Sequence, residues 1–293
     1  MKNSDFPNYF QAADNASIKA QEDYLNLNMY NLFSMIIAAA LTLYNMQAIE
    51  PKMWLYIVSG LLLFISMGIT ILLKVKKYED IWYQSRALAE SCKTLTWRYV
   101  TCSELFEISL SAENAKNIFV ERIRSIVDEF KDLTSKLKSK TLNLPIVTSK
   151  MKEVRALSTN ERKNLFIEKR INDQKDWYST KAEFNQKKHN LWFWVIIVFQ
   201  FLSIVAIVYL IKIPDSNWNF IGLFTTISAS ALSWLQLKRH QELKEAYTTA
   251  TQELNFIVEL SENVETDMEL SKFVLDSENA ISREHTLWVA QRR

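Results

Sequence analysis

A chain of 293 residues with only three glycines and four prolines, 48% hydrophobic and 12% aromatic, has few places to turn and reads as a few long helices rather than a turn-rich β or α/β fold. All three glycines (Gly60, Gly68, Gly222) lie inside apolar runs, which excludes a Gly-rich phosphate cradle and with it the Rossmann and P-loop cofactor sites. The net charge of +2 gives no reason to expect nucleic acid, and two cysteines make no disulfide framework.

The first 24 residues are polar and of mixed charge, without the basic start and apolar core of a cleaved signal peptide. Two apolar runs follow, at about 31–49 and 53–73, with Glu50-Pro51-Lys52 between them. A second pair occupies 191–211 and 218–237, free of Asp, Glu, Lys and Arg and joined by a turn around Pro214. At ~1.5 Å per residue each of these runs makes a helix about 30 Å long, the thickness of a bilayer core, and in lipid a helix satisfies its own backbone. Trp192, Trp194, Trp218 and Trp234 sit near the ends of the runs, where indoles favour the headgroup zone. The pattern predicts an all-α integral membrane protein: two tandem transmembrane hairpins, four spans, extended into a cytoplasmic, coiled-coil-like helical bundle. The alternative is a soluble bundle with buried helices, which seldom stay apolar all round over such lengths.

Lys74, Lys76 and Lys77 follow the second run, Lys181, Lys187 and Lys188 precede the third, and Lys238, Arg239 and Lys244 follow the fourth, whereas each tip has a single Lys beside an acid. The positive-inside rule then places both tips outside and both termini in the cytoplasm. Trp54, Ile57, Ser66, Lys74 and Tyr83 recur 164 positions later as Trp218, Ile221, Ser230, Lys238 and Tyr247. The chain therefore divides into a first repeat at 1–140 (polar helices 74–140), a linker at 141–157 around Pro145, and a second repeat at 158–293 (polar helices 158–190 and 238–293).

Steps of three and four carry apolar stripes through the polar segments: Ile81, Ser85, Leu88, Cys92, Leu95, Tyr99, Cys102 and Phe106; Phe119, Ile123, Ile126, Phe130, Leu133 and Leu137; Leu243, Tyr247, Ala250, Leu254 and Ile257. Ser158 with Glu161 forms a capping box that opens a helix towards the third span. Residues 131–188 hold 15 basic and 7 acidic side chains, net +8, and residues 239–293 hold 6 and 11, net −5. Either the basic segment packs against the acidic tail or it lies on anionic lipid.

No chemistry stands out. Cys92 and Cys102 fall on an apolar stripe and read as core residues. His189, His240 and His285 have no partner at a metal-ligand spacing, and His189 and His240, among lysines, suit the membrane interface. No catalytic motif appears, so no metal, cofactor or enzymatic activity is expected. Asn31, Ser34, Ala38, Thr42 and Asn45 share one face of the first span and serve either as a weakly polar pore wall or as packing. Gly222, Thr226 and Ser230 make a small-xxx-small stripe on the fourth, read first as close helix packing. No span carries an ionisable Asp, Glu, Lys or Arg, which argues against an ion-coupled transporter.

After the first hairpin, Trp82–Tyr99 contains Arg86, Ala87, Ala89, Glu90, Ser91, Lys93, Trp97, Arg98 and Tyr99 in an order that resembles the DUF4231 group of SLATT-domain proteins, the SMODS- and SLOG-associating two-transmembrane effectors. Arg283, Glu284, His285, Trp288 and Arg293 resemble that family's closing helix. The resemblance implies an effector in the bacterial inner membrane, acting in anti-phage defence by forming or triggering a pore, and switched by a separate sensor or nucleotide second-messenger system. Read physically, Arg86, Glu90 and Lys93 form a charge ladder on one helix face, continued by Trp97 and Arg98. The ladder is either an inter-helix clamp or a latch that gates the spans. The spans are too apolar to enclose a wet channel singly, so a pore requires a homo-oligomer in the bilayer. A non-conducting scaffold or receptor that binds partner proteins is the alternative.

Overall fold

A computed structural model describes residues 1–45 and 48–290, with side chains through Ser282. Among the described residues there is no strand, only an isolated antiparallel bridge between Tyr44 and Trp218. The helices are α1 (Asn8–Leu41), α2 (Ile49–Lys76), α3 (Tyr78–Val100), α4 (Ala112–Glu129), the short α5 (Lys131–Thr134), α6 (Ser139–Leu142) and α7 (Ser149–Arg155), α8 (Thr159–Phe166), α9 (Asp173–Lys212), α10 (Ile221–Lys238), α11 (His240–Leu260) and α12 (Asp267–Ala290). A π-turn at Ile167–Asn172 joins α8 to α9. The Ser158 cap forms as expected, its hydroxyl and backbone N–H both donating to the Glu161 carboxylate.

Three helical stretches are long and apolar enough to cross a membrane: Asn8–Leu41, Ile49–Val100 and Thr159–Lys212. The fourth apolar run forms α10, 18 residues and so about 27 Å long; Thr225, Thr226, Ser228, Ser230, Ser233 and Gln236 dilute its hydropathy.

The chain divides into two compact units that cut across the two sequence halves. The apolar unit comprises Glu22–Tyr78 and Ala182–Lys244. Its burial is inverted relative to a water-soluble bundle. Ser59, Ser66, Ser203, Ser228 and Ser230 are buried, while Phe64 (67% exposed), Phe201 (62%) and Trp194 (61%) point outward. Water would expel those rings; hydrocarbon accepts them, and small residues at the contacts let helices approach without large side chains. This weighs against the soluble-bundle alternative for the unit. Its helices are tied by Ser59 Oγ donating to the Ala38 carbonyl (3.0 Å) and Ser228 Oγ donating to the Ile196 carbonyl (3.4 Å).

The hairpin tips differ from expectation. α1 ends at Leu41, and Leu43 and Asn45 exchange backbone hydrogen bonds with Asn219 (2.9 Å) and Asn217 (2.7 Å). Pairing with residues far along the chain captured this segment from the helix. Pro51, taken for a break, lies in the first turn of α2, where its missing N–H costs nothing. Helix α2 ends at Lys77 (φ 50°) and α10 at Arg239 (φ 47°), each left-handed, with its N–H on the Leu73 (3.2 Å) or Leu235 (3.1 Å) carbonyl. These matching breaks lie 162 positions apart, not 164, so the repeat register shifts by two.

The polar unit comprises Met1–Gln21, Glu79–Lys181 and Glu245–Arg293. Its core is conventional: Phe6, Phe10, Leu88, Trp97, Phe119, Phe166 and Val274 are buried together. From Ser85 to Phe106 the first stripe is buried at every predicted position. It outlasts its helix, because α3 stops at Val100 and Cys102 is left-handed (φ 57°). The expected linker at 141–157 is part of this core: Met151 and Val154 are buried, and the Pro145 carbonyl accepts from Asn8 N.

Candidate functional site

On α3 the ladder forms locally. Arg86 reaches Glu90 one turn on at 2.7 Å and Asp14 of α1 at 3.6 Å. Lys93 lies behind them; burial pushes its ammonium down, Glu90 opposes that, and Arg170 and Arg86 add to it. Burial likewise raises the Asp14 carboxyl, against the pull of Arg86. Trp97 does not continue the ladder. It is 1% exposed, edge-on to Phe166 (5.6 Å) and Phe6 (6.2 Å), because position 97 falls on the helix face that meets the core. Arg98 turns to the end of α3, where its Nη2 lies 3.4 Å from the Glu104 carbonyl and 3.6 Å from its carboxylate. Its Nε is buried without a hydrogen-bond partner.

Three buried arginines, not singled out by the sequence, tie this surface together. Arg155 Nη1 donates to the Tyr99 and Phe106 carbonyls at 2.8 Å each, satisfying the end of α3, and its guanidinium lies over the Tyr99 ring at 5.1 Å. Arg162 donates to the Thr101 carbonyl (2.8 Å) and pairs with Asp267 at the start of α12 (2.7 Å). Arg170, in the π-turn, makes a two-pronged pair with Glu278 of α12 at 2.8 Å per prong, each side chain 1% exposed. Thr94 of α3 donates to the same carboxylate at 2.7 Å. The arginines of the basic segment are thus turned inward to α3 and the acidic tail, while Lys131, Lys136, Lys138, Lys140, Lys150 and Lys152 are exposed. A signal was available: among the 15 basic residues of 131–188 the only arginines are 155, 162 and 170, and Arg is the cation suited to buried, two-pronged pairing.

Beside the ladder a cleft of about 250 Å³ opens between α3, α4 and α12, lined by Glu90, Ser91, Arg98, Ile126, Ile281 and Ser282 among others. The side chains of Arg283, Glu284, His285 and Trp288, the candidate C-terminal motif, lie outside the described residues.

In the apolar unit the predicted face of α1 is divided. Asn31 accepts from Ser66 Oγ and donates to Thr70 Oγ1 (3.4 Å), and Ala38 is buried against Ser59. Ser34 donates to its own backbone at Tyr30, Thr42 is exposed, and Asn45 accepts from Lys52 Nζ at 2.8 Å. The stripe on α10 is divided: a methyl at Gly222 would meet nothing within 4 Å, whereas Ser230 is buried. Thr226 donates to the Gly222 carbonyl (2.7 Å), and the buried positions are Ser228, Ser230 and Ala231. The contact with α9 is lined by a small side chain, Ser228, whose hydroxyl donates to the Ile196 carbonyl.

His240, expected at the membrane interface, is buried in the protein. It is 3% exposed, with Nδ1 2.7 Å from Asn185 Oδ1, and burial, with Lys238, His189 and Lys188 adding to it, pushes its pKa down to about 4. Cys92 and Cys102 are free and buried, and burial raises the Cys92 thiol to about 12, far from a reactive thiolate. Among the described residues no three His, Cys, Asp or Glu side chains gather to hold a metal.

Two sequence profiles match the chain: SMODS and SLOG-associating 2TM effector domain 3 at residues 7–163 and SMODS and SLOG-associating 2TM effector domain 1 at residues 166–288. No curated protein and no solved structure matches.

Proposed function

The chain belongs to the family of SMODS and SLOG-associating 2TM effector (SLATT) domains, with two such domains in tandem, and on that footing we propose that it is an effector of a bacterial conflict system that acts by forming an oligomeric pore in the inner membrane. In this reading α10 is the fourth span, both hairpin tips face outward, both termini are cytoplasmic, and the polar helices pack as a coiled-coil-like bundle that gates the pore. The observation that carries it is the inverted burial of the apolar unit: large side chains outward, serines inward. Such a surface suits lipid and further copies of itself. A separate sensor or second-messenger system supplies the trigger, and no catalysis is involved.

The lining falls to the first span. Asn31 is spent on holding α1 to α2 and Asn45 lies past the end of α1 with its side chain on Lys52, which leaves Ser34 and Thr42 for the lumen. That same observation favours one competing reading, a non-conducting scaffold whose polar helices bind partner proteins, because few polar groups remain to wet a channel. Dye entry into cells expressing the protein separates the two. Ser34→Leu plus Thr42→Leu should abolish entry and toxicity while the protein stays in the membrane. Unchanged entry would remove the first span as the lining, and no entry by the unaltered protein together with its triggering system would leave the scaffold.

A further inference from the structure

Charge is segregated along the polar unit. Residues 131–153 hold six lysines and two acids, whereas residues 245–271 hold seven acids and no Lys or Arg. The fold turns both stretches outward. Leu133, Leu137, Met151 and Val154 are buried and leave the six lysines exposed, and Asn8 fixes the loop among them through the Leu142 (2.6 Å) and Pro145 (3.3 Å) carbonyls. On α11, Ala250 and Leu254 are buried, while Glu259 and, beyond the helix, Glu262 and Glu265 are exposed. Among the described residues none of these lysines pairs with these acids; Lys150 takes Glu153 instead, at 2.8 Å. Each stretch also exposes apolar side chains. Phe256 (71% exposed) and Leu260 (63%) stand one turn apart on the outer face of α11, and at 100° per residue Glu253 and Glu259 fall on either side of them. Leu144 (45%) stands between Lys140 and Lys150. Single exposed charges or apolar residues need no partner, but an apolar patch rimmed by charge of one sign has the composition of an interface.

The two surfaces are opposite in sign, and that selects the occupant. Anionic lipid would take the lysines and leave Phe256 and Leu260 in water; a separate basic protein would do the reverse. A second copy of the chain covers both. We propose that copies of this protein join head to tail, the lysine stretch of one against the outer face of α11 of the next, with Leu144 of one copy on Phe256 and Leu260 of its neighbour. A contact between two different surfaces repeats from copy to copy until a ring closes. The inference therefore rests on the oligomer that the pore reading requires, and it names the contact that builds it. Since much of that contact is charge near water, raised salt weakens it.

Light scattering of the full-length protein in detergent at low salt tests the contact. Glu259→Lys plus Glu262→Lys, and separately Lys138→Glu plus Lys140→Glu, should each weaken self-association at least about tenfold. Phe256→Ser should weaken it with no change of charge. Mixing the two charge-reversed proteins should restore association between them, because each then offers the sign that the other needs; a folding defect is not rescued by mixing. Oligomers of unaltered size in all three variants, or charge-reversed proteins that lose assembly and do not regain it on mixing, would overturn the head-to-tail contact and leave the oligomer standing. Unaltered protein that stays monomeric at every concentration would remove the assembly itself, and the contact and the pore reading with it.

Discussion

Arg170 and Glu278 are held by two 2.8 Å bonds at 1% exposure, and the energetic consequence is asymmetric. Desolvating both charges offsets most of their attraction, so the pair adds little net stability, but removing one partner strands the other charge in the core. Arg170→Met alone should therefore destabilise the protein by about 3–5 kcal/mol, and adding Glu278→Leu should restore most of it. Denaturant unfolding in detergent measures both; a double variant as weak as the single one would show that the pair is needed for more than mutual neutralisation.

His240 gives the opposite kind of test. Its folded pKa, about 4, lies below the ordinary 6.5, so between those values the unfolded chain binds a proton that the folded chain refuses. Its contribution is whole above pH 6.5 and is lost as the pH falls towards 4. Tm should drop across that window, and His240→Gln should flatten the drop. An unchanged slope would assign it to other groups.

Lys77 and Arg239 end their helices in the left-handed region, where a side chain is strained but a cation beside the last carbonyls is favourable. Lys77→Gly should be neutral or mildly stabilising, whereas Lys77→Val should cost about 1–2 kcal/mol, since β-branching is worst tolerated at positive φ. The reverse order would mean that the break is not a left-handed cap. Helix α10 makes a different demand. If it spans the bilayer, Ser216→Cys, before α10, is labelled by an impermeant thiol reagent from outside the cell, and Glu262→Cys, beyond its other end, only after the membrane is opened. The native Cys92 and Cys102, both buried, add little background. Labelling of both positions from outside would remove α10 as a span.

What could be read from the chain beforehand was whatever is local. Leu88, Cys92, Leu95 and Tyr99 are buried as their spacing required, because a helix repeats its environment every three or four residues. The Ser158–Glu161 cap spans three positions and was equally visible. Arg170 and Glu278 stand 108 residues apart, and no periodicity links them. Leu41 ends α1 because residues 43–45 bond to residues 217–219, a contact equally remote. Gly222 shows the limit of motifs: three small residues at spacing four do not say whether a neighbouring helix lies on that side.

The two family domains follow one another along the chain, yet each compact unit draws on both, the apolar unit from 22–78 and 182–244. Neither repeat completes its own core, so the tandem folds as one protomer. The apolar runs, with serines facing inward and no ionisable Asp, Glu, Lys or Arg, enclose no wet lumen singly; the pore reading requires copies to meet through the first span. Efflux of a trapped ion from liposomes containing the purified full-length protein tests this most directly, with Arg86→Ala plus Glu90→Ala protein beside it. The account predicts protein-dependent efflux, rising more than linearly with protein density and altered by the ladder substitutions. Liposomes that stay tight at every density for both proteins, with the protein shown to be inserted and its triggering system supplied, would contradict it.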